Sequence, residues 1–484
     1  MKAIDVHGFG GGFTLGVAQA GYELVAKKGR EVGFGVLNVL ANRHLLPGDW
    51  EVESGDPSQW VPEEADLVFG NPPCSGFSTL SRKDFRGMDS TINECMWELV
   101  RYAGHVAPKI VAWESVQQAF RQGRPLMQAL RVELEEISGK RYNLYHVLHN
   151  NASLGGASIR RRYFWVAVRE DIEFGVESNM TRAWLDDKHR WQLERGQLER
   201  VPMLNDVLGD LEHLSLTMER QPYHDVACQC VQPVGYDAWE RAILEWECTC
   251  NATTSTSSWW TAAHMHDGSG TVDGHDVFRS PTLARIRECH LEAEKLGDSW
   301  SQGERMSDVL RRIYERTGEL PASWHYMSKK PMLTNDGEKI LGDDGKPIMQ
   351  PIRKDKRIIE TDFAMGVNQP YKWRGDQMAR VLTGGAVHLF VHPTQPRSFT
   401  HREAARIQGF PDAWNIWPVR NAADLGPGWG KGVPVHAGRW IADWAKSSME
   451  GHPGSIGGSP LKDGDREWII DVTKDYEKVL SKTC

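Results

Sequence analysis

Apolar runs alternate with polar stretches along the first 170 residues. Lys2-Ala3-Ile4-Asp5-Val6 leads into a glycine-rich turn at Gly8, Gly10, Gly11 and Gly12. Ala65-Asp66-Leu67-Val68-Phe69-Gly70 leads into Asn71-Pro72-Pro73-Cys74. Lys109-Ile110-Val111-Ala112-Trp113 ends at Glu114, and Arg162-Tyr163-Phe164-Trp165-Val166-Ala167-Val168 is a fourth run. Short runs of this composition predict strands. Thr14 to Gly21 carries small and apolar residues suited to a helix, and Thr91 to Val106 sets Ile92, Met96, Leu99, Val100 and Ala103 at helical spacing. Strands alternating with helices predict an α/β fold with a mostly parallel sheet covered on both faces. Such sheets bind ligands beyond the carboxyl ends of their strands, which is where the polar residues named here fall.

From about 176 to 375 the pattern turns to short, charged, tryptophan-rich segments. Thr253 to Ser258 is a low-complexity loop, and Asn335-Asp336-Gly337 and Asp343-Asp344-Gly345 are hairpin-turn patterns. No internal repeat is expected. Regular patterning returns near 379, with a capped helix start at Thr400 to Gln408 and a last helix over Val435 to Lys446. The tail after Gly451 reads as peripheral. The predicted division is a catalytic and cofactor-binding domain over 1–175, completed by 425–450, a recognition domain over 176–424, and a tail over 451–484.

Composition narrows the class. With 484 residues, 40% hydrophobic and 25% charged, the chain is neither disordered nor fibrous. No run reaches the roughly 18 apolar residues of a membrane span, and no basic-then-apolar leader opens the sequence, so a cytoplasmic protein with no membrane partner is expected, as a monomer. Eight cysteines over this length predict reduced thiols rather than a disulfide scaffold. The net charge of −8 argues against a generic nucleic-acid coat and leaves room for a local basic cleft.

The chemistry concentrates in three places. In Gly70-Asn71-Pro72-Pro73-Cys74-Ser75-Gly76-Phe77-Ser78, prolines stiffen the backbone before a thiol and small residues follow it, which suits a nucleophile. Glu114 closes a strand and would face the same crevice. In Ser158-Ile159-Arg160-Arg161-Arg162, alternation puts Arg160 and Arg162 on one side.

Together these segments resemble the DNA cytosine carbon-5 methyltransferases, in that family's motif order. Asp5 to Gly21 is similar to its first cofactor loop, Asn71 to Ser78 to its Pro-Cys loop, Glu114-Ser115-Val116 to its Glu-Asn-Val, and Ser158 to Arg162 to its Gln-x-Arg-x-Arg. Arg402-Glu403-Ala404-Ala405-Arg406-Ile407-Gln408-Gly409-Phe410-Pro411-Asp412 closely resembles its ninth motif, and Gly430-Lys431-Gly432-Val433-Pro434 its tenth. The resemblance covers roughly 1–170 and 379–446 and implies a Rossmann-like methyltransferase sheet plus a smaller, irregular target-recognition domain. It implies Cys74 as the nucleophile toward cytosine carbon 6 and Glu114 as the group that relieves ring charge. Arg160, and with it Arg162, would bind the 2-oxo group and steady the thiolate. The base would be flipped out of duplex DNA. The implied cofactor is S-adenosylmethionine, held by Asp5, His7, Gly8, Phe9, Gly10, Gly11, Gly12, Asn38, Asp56, Pro72, Lys431 and Val433. Asp56 would meet the adenine amine and Asn38 the ribose. Ser78 would contact DNA.

Some positions depart from the family pattern. His7 stands for an aromatic residue, Phe9 for a glycine, Ser115 for Asn, Ser158 for Gln and Lys431 for Asn. The acid expected near the end of the second strand is not evident. A cation at 431 suggests a carboxylated S-adenosylmethionine and a carboxymethyl product in place of plain methyl. The same motifs also allow a tRNA cytosine-5 methyltransferase or a DNA-binding relative without activity. Cys228, Cys230, Cys248 and Cys250 form two Cys-x-Cys pairs that suit a structural zinc. Arg353, Lys354, Lys356 and Arg357 form a basic run suited to DNA phosphate.

Overall fold

The structure, a computed structural model, describes residues 1–30, 34–77, 87, 90–172, 182–185, 191–194, 202–209, 231–236, 242–246, 271–272, 275–276, 281–321, 328–334, 337–342, 345, 347–352, 370–382, 390–394, 399, 401–414, 429–451 and 469–471. The amino-terminal part runs β1 (Lys2–Val6), α1 (Gly12–Gln19), β2 (Glu23–Gly29), α2 (Phe34–Ala41), β3 (Glu51–Ser54), β4 (Leu67–Gly70), α3 (Glu94–Val106), β5 (Ile110–Ser115), α4 (Gln117–Gln122), α5 (Arg124–Ser138), β6 (Tyr142–Asn150) and β7 (Arg161–Arg169). Later come α6 (Pro281–Lys295), α7 (Met306–Thr317), α8 (His401–Ile407), α9 (Val435–Met449) and β8 (Ile469–Asp471).

One eight-stranded sheet has the order β8-β6-β7-β5-β4-β1-β2-β3. The pairs β1–β2, β1–β4, β2–β3 and β4–β5 are parallel, whereas β5–β7, β6–β7 and β6–β8 are antiparallel. This is the α/β sheet that the alternating pattern predicts. The chain order reverses at β1, whose neighbours are β2 and β4, and a crevice at such a switch point is the expected ligand site.

Period-two alternation divides the core between the two faces. Ala3 joins Phe13, Leu15 and Val17 of α1 and Ala437, Ile441 and Ala442 of α9 on one side. Ile4 and Val6 join Met96, Leu99, Val100 and Ala103 of α3 and Met127, Leu130 and Leu134 of α5 on the other. The four α3 residues are those that helical spacing singles out. Ala404, Ala405, Ile407, Phe410 and Trp414 also pack in the α1–α9 core. Residues 401–414 therefore pack with the sheet, in the same core as Leu204, Leu208, Trp373 and Ala379.

Two features differ from the expectation. Among its described residues, the stretch 176–375 contains two long helices, α6 and α7, with a core of Ile286, Cys289, Trp300, Met306, Val309, Leu310 and Ile313, and a short helix over Leu204–Leu208. Met306, Val309, Leu310 and Ile313 follow the i, i+3, i+4, i+7 rule of a buried helix face. A short repeat is also present. Leu333 to Ile340 (LTNDGEKI) and Leu341 to Ile348 (LGDDGKPI) are tandem octads. They fold back through Ile340 N–H to Met332 O at 2.9 Å and Ile348 N–H to Ile340 O at 2.8 Å. In the tail, Ile469–Asp471 extends the sheet at β6. Among the described residues, no helix is long and apolar enough to cross a membrane.

Candidate active site

Three strand ends meet around Cys74. β4 ends at Gly70, and Asn71, Pro72, Pro73 and Cys74 follow before a short turn over Ser75–Phe77, where Phe77 N–H bonds Cys74 O at 3.0 Å. β5 delivers Glu114, which is 3% exposed. β7 runs antiparallel to β5 and brings Arg162 alongside, its Nε 2.6 Å from Glu114 Oε1. Asn71 Nδ2 donates to Glu114 Oε2 at 2.6 Å. One carboxylate oxygen thus accepts a hydrogen bond and the other stands at ion-pair distance from a guanidinium.

Electrostatics couple the thiol to this carboxyl. Burial raises Glu114 above the usual carboxylate range, and Arg162, Arg160 and Asn71 pull the other way without cancelling it. Burial pushes the Cys74 thiol up to about 12, Glu114 adds to that, and Arg162 and the Val116 backbone N–H oppose it. Burial thus shifts both groups toward their neutral forms. Both suit a reaction in which a proton moves toward the ring while the thiolate adds.

The two arginines expected to act together both act electrostatically on Glu114 but make different direct contacts. Arg160 is fully buried. Its Nη1 donates to Leu382 O at 2.6 Å, and its Nη2 donates to Gly430 O at 2.9 Å and Gly432 O at 2.7 Å. Three carbonyls of the returning chain take hydrogen bonds from Nη1 and Nη2, so Arg160 clamps segments together, while its Nε is buried without a hydrogen-bond partner and Arg162 is the arginine on the carboxylate. The departures at 115 and 158 are each satisfied. Ser115 Oγ accepts the Trp165 indole N–H at 2.9 Å, and Ser158 Oγ accepts from Asn151 Nδ2 at 2.9 Å.

A second cluster lies at the carboxyl ends of β1, β2 and β3. Gly11, in the left-handed region at φ 78°, precedes α1 and supplies no side-chain cap. The amide groups opening α1 are therefore available to a carboxylate-bearing ligand. A Cβ on Gly12 would stand 2.0 Å from Val433 O, so the loop fits only as glycine against the tenth-motif segment. Gly432 approaches the Phe9 carbonyl, a Cβ there lying 3.1 Å from it. Lys431 between Gly430 and Gly432 is exposed, whereas Val433 and Pro72 are buried. Asp5 is buried and accepts from Lys27 Nζ and Thr14 Oγ1, each at 2.6 Å, so it braces the loop from beneath. Asp56 is exposed at the exit of β3, with Oδ1 accepting from Ser58 N–H and Oγ, which hold it below the usual carboxylate range. Gly-rich backbone, an uncapped helix start and an exposed carboxylate fit the methionine and adenine ends of S-adenosylmethionine.

Asn38 does not stand at the end of β2. It lies within α2, fully buried, and its Oδ1 accepts the Trp414 indole N–H at 2.8 Å. That bond fastens the ninth-motif segment to the sheet and leaves Asn38 no role toward a ribose. His7, also in the left-handed region at φ 57°, turns its ring toward Trp60 and sets Nε2 2.9 Å from Glu98 Oε2. Glu98 and Arg30 belong to none of the motifs, and Asn71 sits in the Pro-Cys loop without a role read from sequence. Ser78, the basic run 353–357 and Cys228, Cys230, Cys248 and Cys250 lie outside the described residues.

The family model for C-5 cytosine-specific DNA methylases matches residues 1–446. This chain belongs to that family. The Type II methyltransferase M.NgoPII of Neisseria gonorrhoeae is 27% identical over 179 residues, 36% of this chain and 49% of that protein. M.FnuDI of Fusobacterium nucleatum is 24% identical over 175 residues, 36% of this chain and 48% of that protein. The chain thus spans about half the length of these two relatives. The DNA (cytosine-5)-methyltransferase CMT2 of Arabidopsis thaliana is 23% identical over 388 residues, 73% of this chain and 25% of its own. Among solved structures, the S. pombe Dnmt2 methyltransferase aligns over 93% of this chain and 99% of its own at 12% identity, with a TM-score of 0.40. The family's motif positions fall on the two clusters just described: Cys74 and Glu114 on one, Gly8 to Gly12 and Val433 on the other.

Proposed function

We propose that the chain is an S-adenosylmethionine-dependent DNA cytosine-5 methyltransferase that flips its target base from duplex DNA and attacks it through Cys74. The observation that carries this reading is the Glu114 carboxyl, pinned by Arg162 and Asn71 beside the thiol. Cytosine carbon 5 is too electron-poor to take an alkyl group unaided. Addition of the Cys74 thiolate to carbon 6 makes the ring an enamine. Glu114 shares its proton with ring nitrogen 3 as the thiolate adds, which removes the negative charge that the ring would otherwise carry. The same carboxyl selects a base with an exocyclic amine. Arg162 remains on Glu114 and faces the 2-oxo side. S-adenosylmethionine supplies the electrophilic sulfonium methyl. Loss of the carbon 5 proton and departure of the Cys74 thiolate restore the ring. The test is incubation with duplex DNA and methyl-labelled S-adenosylmethionine, followed by nucleoside mass spectrometry. Labelled 5-methyldeoxycytidine is the expected product. Its absence, or label confined to transfer RNA, contradicts the reading.

Lys431 supports a finer version. Its exposed ammonium-bearing side chain stands on the turn that Arg160 clamps, next to the glycine that approaches the Phe9 carbonyl. A cation there favours a donor whose transferred carbon carries a carboxylate, giving 5-carboxymethylcytosine. With both donors present, Lys431→Asn shifts the product ratio toward plain methyl if this is so. An unchanged ratio removes the finer version and leaves the methyltransferase reading intact.

A further inference from the structure

A metal ion is held where nitrogen, sulfur and oxygen donors converge that hydrogen bonds do not already satisfy. Among the described residues, His7, Cys95 and Glu98 bring an imidazole, a thiol and a carboxylate together, each offering one atom, and these atoms all lie within 4.8 Å of one another. His7 follows the end of β1, and Cys95 and Glu98 stand near the start of α3. A separation of three residues puts those two on one helix face.

Two of the three atoms approach closely without bonding each other. His7 Nε2 lies 2.9 Å from Glu98 Oε2, with the side chains 7% and 11% exposed. Both atoms are nevertheless buried without a hydrogen-bond partner. The distance suits a hydrogen bond, so the alignment does not. A cation between them satisfies both atoms, with His7 neutral and its proton on Nδ1.

The surroundings fit such an ion. The His7 ring is fixed by left-handed backbone at φ 57° and by Trp60, whose ring centroid lies 5.5 Å away. Glu98 Oε1 accepts from Arg30 Nε at 2.6 Å, an outer bond of the kind that orients a ligating carboxylate. Arg30 also pairs with Glu94 at 2.9 Å, so its charge is balanced. A divalent ion against the Cys95 thiolate and the Glu98 carboxylate then adds no net charge. Cys95 is in no disulfide, and a position near a helix start favours its thiolate.

We propose that His7 Nε2, Cys95 Sγ and one oxygen of Glu98 bind zinc, with water as the fourth ligand. A nitrogen, a sulfur and an oxygen donor suit zinc, whereas magnesium and calcium take oxygen. A tetrahedral zinc about 2.1 Å from nitrogen and from oxygen sets those two about 3.4 Å apart, a spread of about half an ångström that side-chain rotation supplies. The ion joins the start of the glycine loop, which follows His7 at Gly8, to α3. It takes no part in transfer at Cys74, so the site stands whether or not the chain methylates DNA.

The experiment is alkylation of the full, tag-free chain with iodoacetamide during a titration with zinc chloride, read at each cysteine by peptide mass spectrometry. With zinc tenfold above the titration midpoint, about a tenth of the sites stay unfilled, so labelling of Cys95 is expected to slow about tenfold, and EDTA to restore it. His7→Phe and Glu98→Gln are each expected to abolish the protection. Melting curves recorded without zinc show that a variant is folded, and should His7→Phe not fold, Glu98→Gln carries the comparison. Equilibrium dialysis gives a second readout that needs no labelling: Cys95→Ser is expected to bind one zinc fewer than wild type. Equal binding by the two overturns the proposal. So does protection confined to Cys228, Cys230, Cys248 and Cys250. Protection of Cys95 that persists in both folded variants makes it a lone thiol and overturns the three-ligand site.

Discussion

The two ends of the crevice are built by different means. At the β4–β5–β7 end the groups are side chains that hold one another: Cys74, Glu114, Arg162 and Asn71. At the β1–β2–β3 end the cradle is mainly backbone, made of glycines in the left-handed region and an uncapped helix start. A side-chain site tolerates few replacements because each atom has a named partner. A backbone site tolerates many, provided that no Cβ intrudes. Pro73-Cys74, Glu114 and the arginines keep the family's letters, whereas Ser115 and Ser158 at the same end, and His7 and Phe9 at the other, depart from them.

Substitutions can break that contrast. The largest effect is expected for Cys74→Ser, which should reduce transfer to background while DNA binding and the melting transition stay unchanged. Wild-type-like turnover by this variant would remove the nucleophile from the account. Glu114→Gln comes next, with a rate loss of about 10² to 10⁴. Because the carboxylate penalises the neighbouring thiolate, the same variant should also move the midpoint of Cys74 alkylation to lower pH. Arg162→Gln should move it up, since a nearby cation favours the anion. Alkylation followed from pH 7 to 11 checks both signs.

The third test separates the arginines. Arg160→Met strands three buried carbonyls and should cost about 3 kcal/mol or more in denaturant unfolding. Arg162→Met should leave stability nearly intact and lose activity. The reverse pattern would put Arg160 back at the base. The smallest effect belongs to the backbone end. Gly11→Ala forces a side chain into φ 78° and 2.6 Å from the Trp414 ring, and should cost about 1 to 2 kcal/mol with weaker S-adenosylhomocysteine binding.

Much of the sheet end was legible in the sequence because strand and helix periods are local. Lys2 to Val6, the α3 stripe and the residues leading into Cys74 and Glu114 all read directly. Partnerships between distant segments were not legible. Nothing local tells that Arg160 turns to carbonyls at 382, 430 and 432, or that Asn38 serves Trp414 across 376 positions. Glu98 escapes notice in sequence because a single acid on an amphipathic helix reads as solvent-facing until its neighbours are known. The octad repeat was legible, since both copies carry Asp-Gly at the turn and Leu and Ile at the ends, but its period is shorter than that of the common repeat architectures.

The central claim, a covalent bond from Cys74 to the flipped cytosine, has a direct measurement. Duplex DNA carrying 5-fluorocytosine at the target position is incubated with the chain and S-adenosylmethionine. Fluorine on carbon 5 cannot leave as a proton does, so the adduct persists. The account predicts a DNA-linked species, mapped by peptide mass spectrometry to the peptide containing Cys74 and missing in Cys74→Ser. A chain that converts ordinary cytosine yet forms no such species, or forms it through another residue, would contradict it.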